Sequence, residues 1–130
     1  MGNPNIRGRV LVADDYFINQ ELLKEMLGSF DCEIDTAENG REALERYSSN
    51  EYDLIFMDIQ MPEMDGYETT RQIRIKEEDV PKHTPIVAVT ASALVDDKQK
   101  CFDAGVDHYI SKPFQLNDIL ETVNRFLPLD

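Results

Sequence analysis

Apolar positions along the chain fall into two kinds of pattern. Short continuous runs at 10–13 (V-L-V-A), 54–57 (L-I-F-M) and 86–89 (I-V-A-V) each end at a polar residue: Asp14, Asp58 and Thr90. Runs this short, bounded by polar or turn signals, predict strands buried on both faces. Residues 34–37 and 108–110 predict two more strands, the former with the alternation of a sheet edge. Between these runs the period becomes helical. Ile18, Leu22, Leu23, Met26 and Leu27 form the stripe of a first helix stopped by Gly28, with Phe17, Ile18 and Leu22 assigned mostly to the core. Asn39 with Glu42, and Asp65 with Glu68, are capped starts of a second and a third helix. The second uses Ala43, Leu44 and Tyr47; the third uses Tyr67 and Ile73 and reaches about Ile75. Residues 77–85 read as a loop marked by Pro81 and Pro85. Val95, Gln99, Phe102 and Ala104 make a thin stripe for a fourth helix before Gly105. Leu116, Ile119, Leu120, Val123 and Leu127 make the clearest amphipathic helix of all.

Strands alternating with helices at these lengths imply crossover units and a parallel sheet covered on both faces. The expected fold is a single α/β domain over residues 7–130, behind a polar lead-in at 1–6 expected to be disordered. The short chain favours a doubly wound (βα)5 arrangement of the flavodoxin-like kind, a five-stranded parallel sheet of order 2-1-3-4-5. In such sheets ligands bind at the carboxyl ends of the strands, where the strand order reverses, here between the first and third strands. Asp14 and Asp15 follow the first strand, Asp58 the third, Thr90 the fourth and Lys112 the fifth. Topology alone therefore brings these polar groups to one edge.

Charge narrows the partners. With 26 Asp and Glu against 13 Lys and Arg, the formal net charge is -13. Such a surface repels nucleic-acid phosphates and attracts divalent cations or basic partner surfaces. No apolar run is long enough to cross a bilayer and no secretory pattern opens the chain, so no membrane association and a cytoplasmic location are expected. Met1-Gly2 lacks the Ser or Thr at position 6 that myristoylation needs, Ile6 standing there instead. Cys32 and Cys101 lack metal-ligand spacing and are expected to sit reduced in a core. His83, in a loop, and His108 are read as bystanders.

Taken alone, Asp58 could simply end a strand in solvent or cap the next helix. Three clustered carboxylates repel one another and raise one another's pKa. A divalent cation removes that penalty, and an all-oxygen ligand set points to magnesium or manganese rather than zinc. With Lys112 as a second positive charge and Thr90 as a neutral donor, the parts suit phosphoryl transfer. Asp58 would then be the nucleophile, forming an aspartyl phosphate.

Four motifs in order, L-V-A-D-D at 11–15, M-D-I-Q-M-P-E-M-D-G at 57–66, V-T-A at 89–91 and Y-I-S-K-P-F at 109–114, make the chain resemble a response-regulator receiver domain of two-component signalling. The resemblance covers about residues 7–127, and the wording around 58–68 is similar to receivers attached to hybrid histidine kinases. It implies that Asp58 takes a phosphoryl group from a phosphohistidine of a histidine kinase or histidine phosphotransfer protein. It also implies that Asp15 and Asp58 bind magnesium with the backbone carbonyl of Gln60, and that Asp14 acts on the metal through water. Lys112, before a cis Pro113, would pair with phosphoryl oxygens. Thr90 and Tyr109 would be a switch pair that alters the face of the fourth helix, fifth strand and fifth helix for protein partners. Gln60 and Ser92 fall where receivers tune the life of the phosphate, which the domain slowly hydrolyses itself. Part of the first helix would face the kinase partner.

Two rival readings belong to other classes. A phosphatase or phosphomutase working through aspartyl phosphate usually carries a second acid two residues after its nucleophile; Gln60 stands there, and no cap domain is visible. A flavin carrier of similar topology needs a Ser-, Thr- and Gly-rich loop where Asp14-Asp15 lie. The chain ends directly after the fifth helix, so a stand-alone phosphate carrier and a receiver excised from a longer protein both fit.

Overall fold

The computed structural model describes residues 7–28, 30–91 and 94–127. The lead-in at 1–6 and Ser92 lie outside the described residues. Strands and helices alternate: β1 (Arg7–Ala13), α1 (Phe17–Leu27), β2 (Asp31–Ala37), α2 (Gly40–Ser49), β3 (Leu54–Asp58), α3 (Gly66–Glu77), β4 (Ile86–Thr90), α4 (Val95–Ala104), β5 (His108–Ser111) and α5 (Leu116–Phe126). All neighbouring strands pair in parallel, in the order β2-β1-β3-β4-β5 expected from the sequence. No helix among the described residues is long and apolar enough to cross a membrane.

The apolar runs form β1, β3 and β4 because their alternate side chains feed two separate cores. Val10, Val12, Leu54, Phe56, Val87 and Val89 pack against Leu23 and Leu27 of α1 and Ile119 and Val123 of α5. Leu11, Ala13, Ile55, Met57, Ile86 and Ala88 pack against Ala43 of α2, Ile73 of α3 and Cys101 of α4. Every residue of β3 and β4 is buried, Asp58 and Thr90 included. Burying one such Leu, Ile or Phe contributes about 1.5–3 kcal/mol. Asn39 and Asp65 cap α2 and α3 as expected, accepting from the backbone N–H groups of Glu42 at 2.8 Å and Glu68 at 2.9 Å.

Several expectations need correction. β2 begins at Asp31 rather than residue 34, because β1 pairs with it from Arg7↔Asp31 onward, whatever the polarity of its outer positions. α3 continues to Glu77, two residues beyond Ile75, since the turn signals Pro81 and Pro85 come later. On α1, Phe17, Ile18 and Leu22 are not core but exposed, at 64%, 55% and 38%; Leu23 and Leu27 alone of its leucines are buried. On α4, Val95 and Phe102 are likewise exposed, and Cys101 and Ala104 face the core. Both cysteines are free; Cys101 is buried and Cys32 partly so.

Buried threonine hydroxyls on two helices bond back to carbonyls one turn earlier, Thr69 to Asp65 and Thr122 to Asp118, both at 2.7 Å. Thr70 on α3 is fully buried, and its hydroxyl has no hydrogen-bond partner among the described residues. Thr70→Val keeps the shape and removes an unsatisfied polar group, which should stabilise the fold by about 1 kcal/mol. Thermal unfolding should show a rise of roughly 3–5 °C; a fall would mean that the hydroxyl is bonded.

Candidate functional site

The parallel order sets the site. β1 lies between β2 and β3, so the loops leaving β1 and β3 turn to opposite faces and open a crevice between their carboxyl ends. Into it come Asp14, from the residue after β1, and Asp58, the last residue of β3, only 2% and 3% exposed. Asp15 joins them from the exposed side, and carboxylate oxygens of Asp14, Asp15 and Asp58 all lie within 4.8 Å of one another. This is an all-oxygen donor set with two buried members, the chemistry a hard divalent cation takes.

Asp14 and Asp58 are each held by their own surroundings. The Tyr16 N–H donates to Asp14 Oδ1 at 2.8 Å, and the Gln60 N–H donates to Asp58 Oδ1 at 3.2 Å. Lys112, in the segment after β5, places its ammonium 3.3 Å from Asp58 and 3.6 Å from Asp14. The bond from Lys112 to Pro113 is cis, and the Lys112 N–H donates to the Thr90 carbonyl at 2.7 Å. Burial pushes the Asp58 carboxyl up to about 6, and the Asp14 carboxylate pushes the same way. The Lys112 ammonium and the Gln60 N–H pull it down without cancelling the rise. Desolvation therefore outweighs the mutual repulsion that the acid cluster alone suggests.

Of the residues singled out in the sequence, Asp14, Asp15, Asp58 and Lys112 form this cluster, and Thr90 ends the strand beside β3. Gln60 contributes its N–H to Asp58 while its side chain is exposed. Tyr109 sits instead on α4. Lys98 lies 4.7 Å from the centre of its ring, and Phe102 meets it edge-on at 6.1 Å. His83, in the loop before β4, has its Nε2 2.7 Å from Asp107 and its Nδ1 3.4 Å from Glu77, neither of them a member of the acid cluster. His108 packs beside the rings of Tyr109 and Phe126.

One supporting residue escapes the sequence pattern. Gln20, 5% exposed on the inner face of α1, donates to the backbone carbonyl of Asp14 at 2.7 Å. The signal was present as a polar residue three before Leu23, on the face that leucine buries. Beside the cluster, Asn19 and Leu22 of α1 meet Lys112, Pro113 and Phe114 around a cavity of about 290 Å³, with exposed Phe17 and Ile18 on the same helix.

Comparison with known proteins points the same way. A family model for the response regulator receiver domain matches residues 10–124. Hybrid signal transduction histidine kinase L of Dictyostelium discoideum is 43% identical over 124 residues, covering 92% of this chain and 7% of that protein. Sensor histidine kinase RcsC of Escherichia coli is 39% identical over 117 residues, covering 90% of this chain and 12% of the kinase. The chain thus spans only a small part of the length of these curated relatives. The co-crystal structure of the Saccharomyces cerevisiae histidine phosphotransfer protein Ypd1 with the receiver domain of its downstream response regulator Ssk1 matches with a TM-score of 0.87 at 30% identity. That match covers 95% of this chain and 91% of the other. The receiver domain of a Pseudomonas aeruginosa sensor histidine kinase, solved with a magnesium ion in its active-site cleft, matches with a TM-score of 0.82 at 32% identity, covering 92% and 96%.

Proposed function

We propose that this chain, which belongs to the response regulator receiver domain family, is a phosphorelay receiver in which Asp58 accepts a phosphoryl group from a phosphohistidine. The observation that carries the reading is the setting of Asp58. It is a strand-end carboxylate, nearly fully buried, 3.3 Å from the ammonium of Lys112 and grouped with two further acids.

The chemistry follows from that setting. At neutral pH Asp58 is ionised, yet its raised pKa leaves it more basic and more nucleophilic than an exposed aspartate. One of its oxygens attacks phosphorus in line, the P–N bond to the donor imidazole breaks, and the ring nitrogen leaves with the bonding pair. Asp14, Asp15 and Asp58, with the Gln60 carbonyl, would hold magnesium, which supplies positive charge for the phosphoryl oxygens. Lys112 offsets the same charge from the other side, and the Thr90 hydroxyl turns toward the phosphoryl group. Tyr109 follows by leaving its place on Lys98 and Phe102, altering the face made by α4, β5 and α5 that protein partners meet. Water attacking phosphorus later releases inorganic phosphate and restores the carboxylate, the only turnover this signalling phosphoacceptor catalyses.

The donor is a histidine kinase or histidine phosphotransfer protein. Exposed Phe17, Ile18 and Leu22 support a docking place on α1, since that apolar face adjoins the cavity against which Lys112 lies. Incubation with a phosphorylated histidine phosphotransfer protein and magnesium should load one alkali-labile phosphate per chain, and chelation of the metal should prevent it. Steady release of phosphate from a phosphomonoester, with none retained on the protein, would overturn the reading in favour of a phosphatase.

A further inference from the structure

The loop at 59–65 carries Gln60 and is gripped at both ends. Gly66 closes it, donating its N–H to the Ile59 carbonyl at 2.9 Å. A Cβ at Gly66 would stand 2.3 Å from the Asp58 carbonyl oxygen, so the first turn of α3 rests directly on the backbone of the acid. On the loop's other flank lies the first residue of α2, Gly40, which is buried. A Cβ there would meet the Met64 carbonyl oxygen at 1.9 Å and Thr69 Oγ1 at 2.2 Å. Neither neighbour can easily withdraw, because the Thr69 hydroxyl donates to the Asp65 carbonyl at 2.7 Å and the Met64 N–H to the Pro62 carbonyl at 2.8 Å.

The loop is also strained. Glu63 has a φ of 67°, the left-handed region that side chains other than glycine occupy at a cost. Its carboxylate lies 3.4 Å from Arg41, the residue after Gly40. Strain of this kind persists where the surroundings over-determine the backbone. Here the surroundings include, beside the first turn of α3, two consecutive residues of α2, buried Gly40 and exposed Arg41, from a helix that gives no side chain to the acid cluster.

We propose that Gly40 is a positioning residue for the cation site. By letting the first turn of α2 seat against Met64, it holds the loop in the shape in which Gln60 can join Asp14, Asp15 and Asp58 around a divalent ion. This rests on the reading above that these residues bind one.

The test is the Mg2+ affinity of the folded chain, followed by NMR titration of backbone amides, beside its stability to denaturant. Gly40→Ala should bind about tenfold more weakly, the lower end of what groups orienting metal ligands cost. Ile119→Val, a core change on α5, should lose stability while keeping its affinity. Glu63→Gly should be as stable as the parent or more so, since glycine is at ease at that φ, yet bind roughly threefold more weakly because the tie to Arg41 is gone. Equal affinities in the parent, Gly40→Ala and Glu63→Gly would overturn the proposal. Should Gly40→Ala fail to fold, Glu63→Gly decides alone: weaker binding at undiminished stability supports it, and unchanged binding overturns it. A parent chain that binds no Mg2+ would instead sink the cation reading itself, and this inference with it.

Discussion

Replacing Asp58 by asparagine should abolish phosphate uptake and, at neutral pH in metal-free buffer, make the fold more stable. The first effect follows because the proposed nucleophile is gone: an amide oxygen does not attack phosphorus at a useful rate. The second follows from burial. The Asp58 carboxyl sits at about 6 in the folded protein against an ordinary value of 3.8. Between those values the native state holds a proton that the unfolded chain has lost, so stability falls as pH rises through the window and stays lower above it. Asparagine has the same shape and no charge to desolvate, while Lys112 keeps Asp14 as a partner at 3.6 Å. Since that value already includes the pull of Lys112, the gain at pH 7.5 should be on the order of 2–3 kcal/mol, shrinking toward zero near pH 4. Urea unfolding at several pH values in a chelator measures it, and mass spectrometry before and after alkali measures the phosphate. Alkali-labile phosphate persisting on the variant would move the site elsewhere. A variant less stable than the parent at pH 7.5 would show that pairing with Lys112 outweighs desolvation.

The strands and their order were legible because burial on both faces leaves a simple mark, continuous apolar runs, and because the polar residues ending those runs had to meet at one edge. Topology alone therefore brings Asp14, Asp58 and Lys112 together. Faces of helices were less legible. Phe17, Ile18 and Leu22 share the period of Leu23 and Leu27, and periodicity does not say which part of a wide apolar stripe meets the sheet. On α4, Ala104 of the expected stripe faces the core with Cys101, whereas the larger Val95 and Phe102 of the same stripe are exposed, because a helix packed closely on a sheet needs small side chains at the contact. Least legible were contacts made by what is missing or what is long. Gly40 carries no side chain to announce its approach to Met64, and Arg74 looks like any exposed arginine of α3 until its reach is seen.

That reach makes Arg74 the residue whose loss should cost the fold most outside the apolar core. Its side chain is only 17% exposed. It donates to both carboxylate oxygens of Glu77 and to the Thr84 carbonyl at 2.8 Å, to Asp107 at 2.8 Å and to the Gly105 carbonyl at 2.9 Å. One guanidinium thus ties α3 to the loop before β4, to the residue that ends α4 and to the loop before β5. The acids it pairs are committed to the backbone as well. Glu77 accepts from the Thr84 N–H at 2.7 Å and Asp107 from the Ile86 N–H at 2.8 Å, so neither can swing out to water without breaking a further bond. Arg74→Ala strands the Glu77 carboxylate at 8% exposure and should cost about 3–5 kcal/mol, the range for removing one partner of a buried pair. Arg74→Lys should recover less than half of that, since a single ammonium cannot span acceptors that the planar fork reaches together. Glu77→Gln, added to Arg74→Ala, should relieve part of the loss by removing a buried charge that has lost its guanidinium. Denaturant unfolding of the parent, Arg74→Ala, Glu77→Gln and the double variant gives the coupling. A cost below about 1 kcal/mol would put the network in the class of exposed ion pairs. Because the network lies at the end of the sheet away from Asp58, any Arg74 variant that remains folded should still take up phosphate, separating what holds this domain together from what it does.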